Sequence, residues 1–436
     1  MNNWQADYQK KLTTPQEAVQ HIKNGDRVVT AIGAGVSAVL MDAIIQNHQN
    51  YKDVELVTIL PIVKTEFLTP EIAPHIRHNS LFVSRASLNV VNQGYATYTP
   101  SFLYRIPTLW ERDLPVDVAV IQVSSPDQHG YCSYGISVEY IKAAAEHGKK
   151  IIAHVNKHMP RTFGDSFIHV SEMDVIVEHD ELLLAPNPPA IGEIEKAIGK
   201  HCASLINDGD CLQLGFGTIP DAVLGFLQDK KDLGIHTEMF SDGVVDLINA
   251  GVITNKRKNF NTGKTISAFL LGSQKLYDFV HDNPSVSMHP VTYTNDPHIA
   301  GQNDNLVAIN SCIQVDLLGQ VSSETIGMTQ YSGVGGQVDF VRAAAVSKGG
   351  RAILTTPSTA KKGAISSIVP ILDEGAGVTV SRYDTHYIVT EHGIANLRNK
   401  STVDRARALI DIADPKFQPM LKEAFKTRFN VGYALS

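Results

Sequence analysis

The chain has 436 residues, which is too many for one ordinary hydrophobic core, so two domains are expected. Hydrophobic residues make up 43% and charged residues 19%, the balance of a globular enzyme, and the net charge of -7 offers no basic surface for nucleic acid. No stretch approaches the ~18 consecutive apolar residues of a membrane span, and the polar start MNNWQADYQKKL lacks the apolar core of a signal peptide. We therefore expect neither nucleic acid nor a membrane as a partner.

The first predicted strand ends in a glycine corner. Gly33-x-Gly35-x-x-Ala38 follows an apolar strand and opens a helix, and Asp53 and Glu55 come about twenty residues later. This nearly matches the fingerprint of a dinucleotide-binding fold, whose acidic residue binds the ribose. Any tight strand-to-helix corner favours small residues, so the pattern alone is weak. An NAD-linked oxidoreductase stays open as one alternative.

Cysteines and histidines along the chain do not form a metal-ligand pattern. The cysteines lie in or beside apolar segments without metal-ligand spacing: Cys132, Cys202, Cys211 and Cys312. Small buried thiols of this kind indicate a reducing, cytoplasmic location. His154 and His158 have helical i, i+4 spacing, but no third ligand is evident, so no metal site is predicted.

The chain repeats itself on either side of a proline-rich break, LLLAPNPPA at 182–190. GDRVVTAIGAGVSAVLMDAI in the first half is answered by GDCLQLGFGTIPDAVLGFL, PDQHGYCS by VDLLGQVS, and DVIVEHD by YIVTEHG, in the same order. Similarity that preserves order indicates a duplicated domain. We therefore divide the chain into an N-terminal domain, 1–187, and a C-terminal domain, 188–436.

Within each half, apolar strands alternate with helical segments, for example DVAVIQV followed by SVEYIKAAAEHGKK. Such alternation predicts right-handed crossovers and a mainly parallel sheet covered by helices. The expected fold class is α/β, with two tandem related α/β domains. Ligands in such folds bind beyond the carboxyl ends of the strands or in a cleft between domains, so the active site is expected between the two domains.

The duplication also separates fold-maintaining residues from candidates for chemistry. Glu-His pairs stand at 178–179 and at 391–392, and matching aspartates stand at Asp127 and Asp316. A residue present in both halves is more readily explained by the shared fold than by a single reaction. We predict that the Glu-His pairs are structural and that the two aspartates form turns.

The second half carries three distinctive loops and one acidic residue that are candidates for chemistry. The corner 215–220 contains a proline, and the cluster 333–336 is glycine-rich; both precede helical segments, where backbone N–H groups favour an anion. Lys361, in TTPSTAKKGAISSIVP, is placed to meet a phosphate. Glu238, in LGIHTEMFSDG, lies between a strand-like segment and a Ser-Asp-Gly turn. The residues alone leave Glu238 either a surface carboxylate or a catalytic one, since Glu55 lies at a comparable distance after the first corner.

Four segments in order, GFGTIPDAVL, HTEMFSDG, YSGVGGQVDF and TTPSTAKKGAISSIVP, resemble the acetyl-CoA hydrolase/transferase family. The likeness is closest to its 4-hydroxybutyrate and butyrate:acetate branch among the class I CoA-transferases, and it covers essentially the whole chain. It implies two CoA-transferase domains of the NagB-RpiA-like fold, in agreement with the duplication, and a homodimer. It implies no cofactor, because coenzyme A (CoA) is a co-substrate.

The resemblance also implies roles for individual residues. Glu238 would be the nucleophile, and the amides of Ile219 and Gly336 would form the oxyanion hole. The positions that match the family's CoA-binding residues are Gly215, Phe216, Gly217, Thr218, Ile219, Ser332, Gly336 and Lys361. Ser332 stands where relatives in the longer, hydrolase-like branch carry asparagine.

The reaction that the resemblance implies is a ping-pong transfer of CoA between a short-chain acyl-CoA and a carboxylate such as acetate, butyrate or 4-hydroxybutyrate. It would pass through a glutamyl-CoA thioester on Glu238. Acyl-CoA hydrolysis through the same intermediate is the alternative within the family, and a non-catalytic CoA-binding protein is the alternative outside it. The length of the chain favours the transferase over the longer hydrolase-like branch.

Overall fold

The computed structural model describes residues 4–62, 69–185, 190–215 and 217–433. The chain forms two compact units, and both are discontinuous in sequence. The first unit comprises Met1–Asn187, Glu238–Asp242 and Lys264–Thr294, and the second comprises Pro188–Thr237, Gly243–Gly263 and Asn295–Ser436.

The division into units differs from the division drawn on the sequence. The predicted boundary between 187 and 188 falls in 186–189, outside the described residues, and the duplicated domains as drawn there stay a prediction. Two segments of the second half, 238–242 and 264–294, pack with the first unit. Glu238, which the sequence division assigns to the C-terminal domain, therefore lies in the first unit.

The strands of the first 187 residues are β1 (Arg27–Gly33), β2 (Val54–Pro61), β3 (Ile76–Phe82), β4 (Ala96–Tyr98), β5 (Val118–Val123), β6 (Tyr131–Ser133), β7 (Lys150–Val155), β8 (Phe163–Gly164), β9 (Phe167–His169) and β10 (Val175–Glu178). The later strands are β11 (Cys211–Leu214), β12 (Gly234–Ile235), β13 (Met239–Phe240), β14 (Thr265–Ser267), β15 (Phe269–Leu270), β16 (Val286–Met288), β17 (Leu306–Ser311), β18 (Gln314–Asp316), β19 (Val321–Ser322), β20 (Thr325–Ile326), β21 (Thr329–Gln330), β22 (Arg351–Thr355), β23 (Thr359–Ala360), β24 (Ile365–Ser366), β25 (Ile368–Val369), β26 (Tyr387–Thr390) and β27 (Gly393–Asn396).

The α-helices are α1 (Trp4–Lys11), α2 (Pro15–Ala18), α3 (Ala38–Gln46), α4 (Leu88–Asn92), α5 (Ile106–Glu111), α6 (Ile141–His147), α7 (Glu193–Ser204), α8 (Thr218–Gly225), α9 (Asp242–Asn249), α10 (Gln274–Val280), α11 (Val291–Thr294), α12 (Pro297–Ala300), α13 (Gln337–Val346), α14 (Thr402–Asp411) and α15 (Gln418–Phe429). Within the described residues, none of them is long and apolar enough to cross a membrane.

The described part of the first unit is built on a seven-stranded sheet in the order β10-β7-β5-β1-β2-β3-β4, in which every neighbouring pair is parallel. Strand β5 is buried along its whole length, as in a parallel sheet with both faces covered. Leu40 and Ile44 of α3 belong to one core cluster with Val28, Val118 and Ile152 of three neighbouring strands. The apolar faces predicted from the sequence therefore form this core.

The described part of the second unit has a six-stranded sheet in the order β12-β11-β17-β22-β26-β27, parallel except for the last pair. Its first five strands follow the same order as β2-β1-β5-β7-β10 of the first unit. The predicted fold class, α/β with mainly parallel sheets, is confirmed, and the shared strand order supports the repeat seen in the sequence.

Each sheet contains two adjacent strands from which the chain continues in opposite directions along the sheet. In the second unit, β11 continues through α8 to β12 on one side, whereas β17 continues through α13 to β22 on the other. In the first unit, β1 and β5 form the equivalent pair. Ligands of open α/β sheets bind at the carboxyl ends of such strand pairs, because the diverging connections leave a crevice there.

The two repeated aspartates form matching turns. Asp127 Oδ1 accepts hydrogen bonds from the N–H groups of His129 (2.8 Å) and Tyr131 (3.0 Å). Asp316 Oδ1 accepts from the N–H groups of Leu318 and Gln320, both at 2.9 Å. The predicted turn-forming role is confirmed for both aspartates.

The repeated glutamates likewise hold other segments of the chain. Glu178 accepts a hydrogen bond from the Tyr8 hydroxyl at 3.0 Å. Glu391 accepts from the N–H and the hydroxyl of Ser358, at 2.8 and 2.6 Å. These contacts are structural, as predicted from the duplication. The four cysteines are buried free thiols, which confirms the sequence-based expectation for their placement.

We predict that Glu55→Gln lowers the free energy of unfolding by about 1–3 kcal/mol. Glu55 is buried, accepts from Arg27 Nε at 2.6 Å and from Asn79 Nδ2 at 3.0 Å, and faces Arg27 across the amino ends of β1 and β2. An amide would leave the Arg27 charge without its counter-ion. Urea unfolding measures the change.

Glu111→Gln is the matched control, because the Glu111–Arg112 pair is exposed and its N–O distance is 3.7 Å. Its effect should stay within about 0.5 kcal/mol. Equal effects of the two substitutions would contradict the role given to Glu55.

Candidate active site

The glycine corner of the second unit follows β11 at the point where the chain diverges. The Gly215 N–H donates to the Ile309 carbonyl at 2.9 Å, and a Cβ on Gly215 would lie 3.3 Å from that oxygen. Gly217 has φ 127°, a conformation that residues with a side chain rarely adopt. Gly217 is therefore required by its backbone conformation, and a side chain at Gly215 would be crowded by the Ile309 carbonyl. Phe216, between them, lies outside the described residues.

Helix α8 begins directly after this corner, with Gly217 as its N-cap. Thr218 and Ile219 occupy its first turn, where backbone N–H groups have no acceptor within the helix. Pro220 is also in this turn, as predicted, and fixes a helical φ there. The corner thus presents amides and the positive end of a helix dipole at the carboxyl edge of the sheet.

A second helix begins at the carboxyl end of the neighbouring strand, β17. Gly336 is the N-cap of α13, and the side-chain amide of Gln337 donates to the Ser311 carbonyl, the last residue of β17, at 2.7 Å. The predicted glycine cluster before a helix is confirmed. The two helix N-termini at the ends of adjacent strands form a place where negative charge is favoured.

Ser332 and Lys361 belong to two further loops of the second unit. The Ser332 N–H donates to the Glu324 carbonyl at 2.9 Å, and the Ser332 carbonyl accepts from Gln330 Nε2 at 2.7 Å. Lys361 is exposed at the tip of the β23–β24 hairpin, and Lys361 and Lys362 have φ of 50° and 58°. Positive φ at two successive lysines costs conformational energy, and such strain clusters at functional loops.

The corresponding corner of the first unit is occupied by its own side chains. A Cβ on Gly35 would overlap the Ser137 side chain, and Gln122 Nε2 donates to the carbonyls of Gly35 and Val36 at 3.4 and 3.2 Å. Glu55, in the place of the acidic residue of the dinucleotide fingerprint, is ion-paired with Arg27. The Gly35 corner and Glu55, which suggested NAD binding, therefore make contacts that stabilise the fold.

Glu238 is held by its backbone in the first unit. Its carbonyl oxygen accepts from the Ala268 N–H at 2.9 Å, the Phe269 N–H at 3.0 Å and the Ser267 hydroxyl at 3.1 Å. The next residues form β13, which pairs in parallel with β15. The Glu238 residue itself is half-buried. The segment therefore fixes the backbone and leaves the residue within reach of solvent.

The Ser-Asp-Gly sequence after Glu238 is the start of a helix rather than the predicted turn alone. Helix α9 begins at Asp242, and Asp242 accepts from the N–H and the hydroxyl of Ser273 at 2.9 and 2.7 Å. Aspartate is favoured in the first turn of a helix, where it meets the positive end of the dipole. Asp242 thereby ties the segment that carries Glu238 to the start of α10.

Comparison with known proteins decides the family. Residues 1–186 match the model of the acetyl-CoA hydrolase/transferase N-terminal domain, and residues 272–425 match that of the C-terminal domain. The chain belongs to the acetyl-CoA hydrolase/transferase family. The resemblance inferred from the sequence is confirmed, and with it the expectation of an enzyme of the CoA-transferase type.

Individual relatives match nearly the whole length of the chain. It is 55% identical over 427 residues to the 4-hydroxybutyrate coenzyme A transferase of Clostridium kluyveri, covering 98% of this chain and 100% of the relative. The crystal structure of RipA from Yersinia pestis superposes with a TM-score of 0.94 at 38% identity, covering 98% of this chain and 100% of that one. The acetyl-CoA hydrolase of Schizosaccharomyces pombe is 25% identical, covering 96% of this chain and 90% of the relative.

The first unit contains a buried carboxyl group, that of Glu139, which the sequence analysis did not identify. Glu139 Oε1 accepts from the Ile32 N–H at 3.0 Å, and Oε2 lies 2.7 Å from the Ser137 hydroxyl oxygen. Its side chain is fully buried. The available signal was a single charged residue within the apolar run ISVEYI, which the sequence analysis included in a helical segment, whereas α6 begins only at Ile141.

The pKa of Glu139 is raised from 4.5 to about 8, mainly by burial and in smaller part by the nearby charge of Glu238, while the hydrogen bonds from Ser137 and Ile32 lower it. The carboxyl group is therefore held mainly as the neutral acid near pH 7. Among the described residues no cluster of three or more His, Cys, Asp or Glu side chains is suited to hold a metal ion.

We predict that Glu139→Gln stabilises the protein increasingly as pH rises. Because the Glu139 pKa is higher in the folded protein than in the unfolded chain, the wild type loses stability as pH rises from about 4.5 to about 8. Glutamine matches the neutral acid and does not titrate. The melting temperature of the variant minus that of the wild type should grow by roughly 4 °C between pH 5 and pH 8.

The control for this trend is Glu111→Gln, since Glu111 is exposed and its environment changes little on unfolding. The melting temperature of this variant relative to the wild type should stay level over the same range. A level difference for Glu139→Gln as well would show that Glu139 is ionised in the folded protein.

Proposed function

We propose that this protein transfers CoA between a short-chain acyl-CoA and a carboxylate such as acetate, butyrate or 4-hydroxybutyrate, through a glutamyl-CoA thioester on Glu238. The observation that carries the proposal is the placement of Glu238, whose carbonyl accepts three hydrogen bonds while the residue stays half-buried. Catalytic groups need such a rigid support, because small displacements from the reacting atom slow the reaction strongly. The name of the Clostridium kluyveri relative supports 4-hydroxybutyrate among these acids.

The reaction needs a nucleophile of the same kind as its substrates. The Glu238 carboxylate attacks the acyl-CoA carbonyl carbon, and the C–S bond breaks to give a mixed anhydride and the CoA thiolate. The thiolate attacks the glutamyl carbonyl carbon, which forms the thioester and releases the first acid. An acceptor carboxylate reverses the two steps. No general base is required, because carboxylate and thiolate are already anionic.

Each attack places negative charge on a former carbonyl oxygen. We assign its stabilisation to the amides of Ile219 and Gly336, at the starts of α8 and α13. Preorganised amides of this kind contribute typically about 3–4 kcal/mol each, because they need no reorientation as charge develops.

CoA itself would bind along the loop from Gly215 to Ile219 and beside Ser332 and Gly336. Gly215 and Gly217 let the backbone approach a ligand closely, and Lys361 is exposed for a phosphate. Energy gained from binding these remote parts of CoA can be used to stabilise the transition state.

We predict that turnover of acetyl-CoA or butyryl-CoA requires an acceptor carboxylate. A bound thiolate should recapture the glutamyl group faster than water reacts with it, so free thiol should appear only slowly without an acceptor. The requirement is measured with a panel of C2–C6 acids as acceptors. Double-reciprocal plots of the initial rate against the concentration of one substrate, at several fixed concentrations of the other, should be parallel lines. Rapid thiol release without any acceptor would favour the hydrolase alternative.

We predict that acyl-CoA alone leaves CoA attached to Glu238, because the first half-reaction needs no acceptor. Borohydride or hydroxylamine should then inactivate only protein that has met acyl-CoA, and peptide mass mapping should place the change within 233–243. Glu238→Gln should lose nearly all transfer, since an amide is a poor nucleophile. Glu238→Asp, shorter by one methylene, should lose roughly 100-fold.

Glu55→Gln is the control for these substitutions, because Glu55 is a buried glutamate held in an ion pair at the amino ends of its strands. It should keep the covalent chemistry. Modification of Glu55, or wild-type turnover by Glu238→Gln, would refute the assignment of the nucleophile.

A further inference from the structure

Two glutamates of the first unit are linked through the backbone of a single residue, Ala268. The N–H groups of Val138 and Glu139 both donate to the Ala268 carbonyl, at 3.0 and 3.2 Å. The N–H of the same Ala268 donates to the Glu238 carbonyl at 2.9 Å. The backbone of Glu139 and the backbone of Glu238 thus both bond to Ala268, which lies between them.

The Glu139 side chain holds that segment against the end of β1. Its two oxygens reach the Ile32 N–H and the Ser137 hydroxyl, and the Ser137 hydroxyl lies 3.4 Å from the Ile32 carbonyl. Further support comes from the Leu270 N–H, which donates to the Ile136 carbonyl at 2.8 Å, and from the Val291 N–H, which donates to the Glu139 carbonyl at 2.9 Å. The segment is bound on both sides and has little freedom to adjust.

We propose that Glu139 is a positioning residue for the covalent step: its carboxyl group locks the segment whose amides hold Ala268, and through Ala268 it fixes the backbone of Glu238. The inference rests on the proposed function, since it concerns the residue assigned there as nucleophile. Glu139 itself needs no contact with the substrate in this role.

The hydrogen bonds suit the protonated form of Glu139. The Ser137 hydroxyl donates to Oε2 of the carboxylate, and in the neutral acid this direction reverses. Oε2–H then donates to the Ser137 oxygen, the Ser137 O–H donates to the Ile32 carbonyl, and Oε1 accepts from the Ile32 N–H, so each group has a partner of the right kind. A neutral acid also avoids a second negative charge beside Glu238, whereas an ionised one would repel it. The side-chain amide of glutamine can make the same set of bonds.

The test compares two substitutions of Glu139 by two measurements. The first is the rate at which acetyl-CoA alone forms the thioester on Glu238, and the second is the affinity for CoA by calorimetry. Glu139→Leu keeps the volume but loses both hydrogen bonds, so thioester formation should slow by roughly 10- to 100-fold while CoA affinity stays close to wild type. Glu139→Gln should form the thioester at nearly the wild-type rate.

Glu55→Gln is again the matched control, as a substitution of another buried glutamate of the same unit, and it should leave the labelling rate unchanged. If Glu139→Leu does not fold, Ser137→Ala replaces it, because it removes the two contacts that the Ser137 hydroxyl makes with Glu139 and with the Ile32 carbonyl and should slow labelling in a folded protein. Circular dichroism and melting verify the fold of each variant.

The outcomes separate this inference from the proposed function. A wild-type protein that forms no thioester would refute the proposed function. If the wild type forms it and Glu139→Leu, or Ser137→Ala in its place, labels at the same rate, the positioning role is wrong. Equal slowing by Glu139→Gln and Glu139→Leu would also overturn it, because the negative charge rather than the hydrogen-bond network would then be needed.

Discussion

Three hydrogen bonds converge on the carbonyl oxygen of Glu238, from the backbone of Ala268 and Phe269 and the hydroxyl of Ser267. They tie a short segment of the second half of the sequence into the first unit, where β13 pairs with β15. The covalent steps proposed for Glu238 require that its backbone be held still. Two of the three contacts come from main-chain N–H groups, which most substitutions leave unchanged.

The repeated sheet is used differently in the two units. In the first, the crevice between β1 and β5 is filled by Gln122, which is held in turn by Asn156 Nδ2 at 2.9 Å. In the second, the corner after β11 contains glycines that permit close backbone approach, and two helices begin at the ends of adjacent strands. In the first unit, side chains therefore fill the crevice. In the second unit, the corresponding corner presents backbone amides suited to developing negative charge.

The sequence predicts those parts of the molecule that local chemistry dictates. The glycine corner, the start of α13 and the turns of Asp127 and Asp316 follow from residue types that few alternatives can replace, and the alternation of strands and helices gives the fold class. The packing of 238–242 and 264–294 with the first unit depends on pairing between distant strands, which no local pattern records. Glu139 was missed for the same reason, because its partner Ile32 lies more than a hundred residues away.

The path of oxygen atoms tests the covalent role of Glu238 most directly. If an acceptor carboxylate attacks the glutamyl thioester, one of its oxygens must remain on Glu238 when the new acyl-CoA departs. A single turnover with an acceptor labelled with oxygen-18 in ordinary water should therefore place one heavy oxygen on the peptide 233–243, as measured by mass spectrometry. Full turnover with no heavy oxygen on that peptide, or with the label on another residue, would contradict the account.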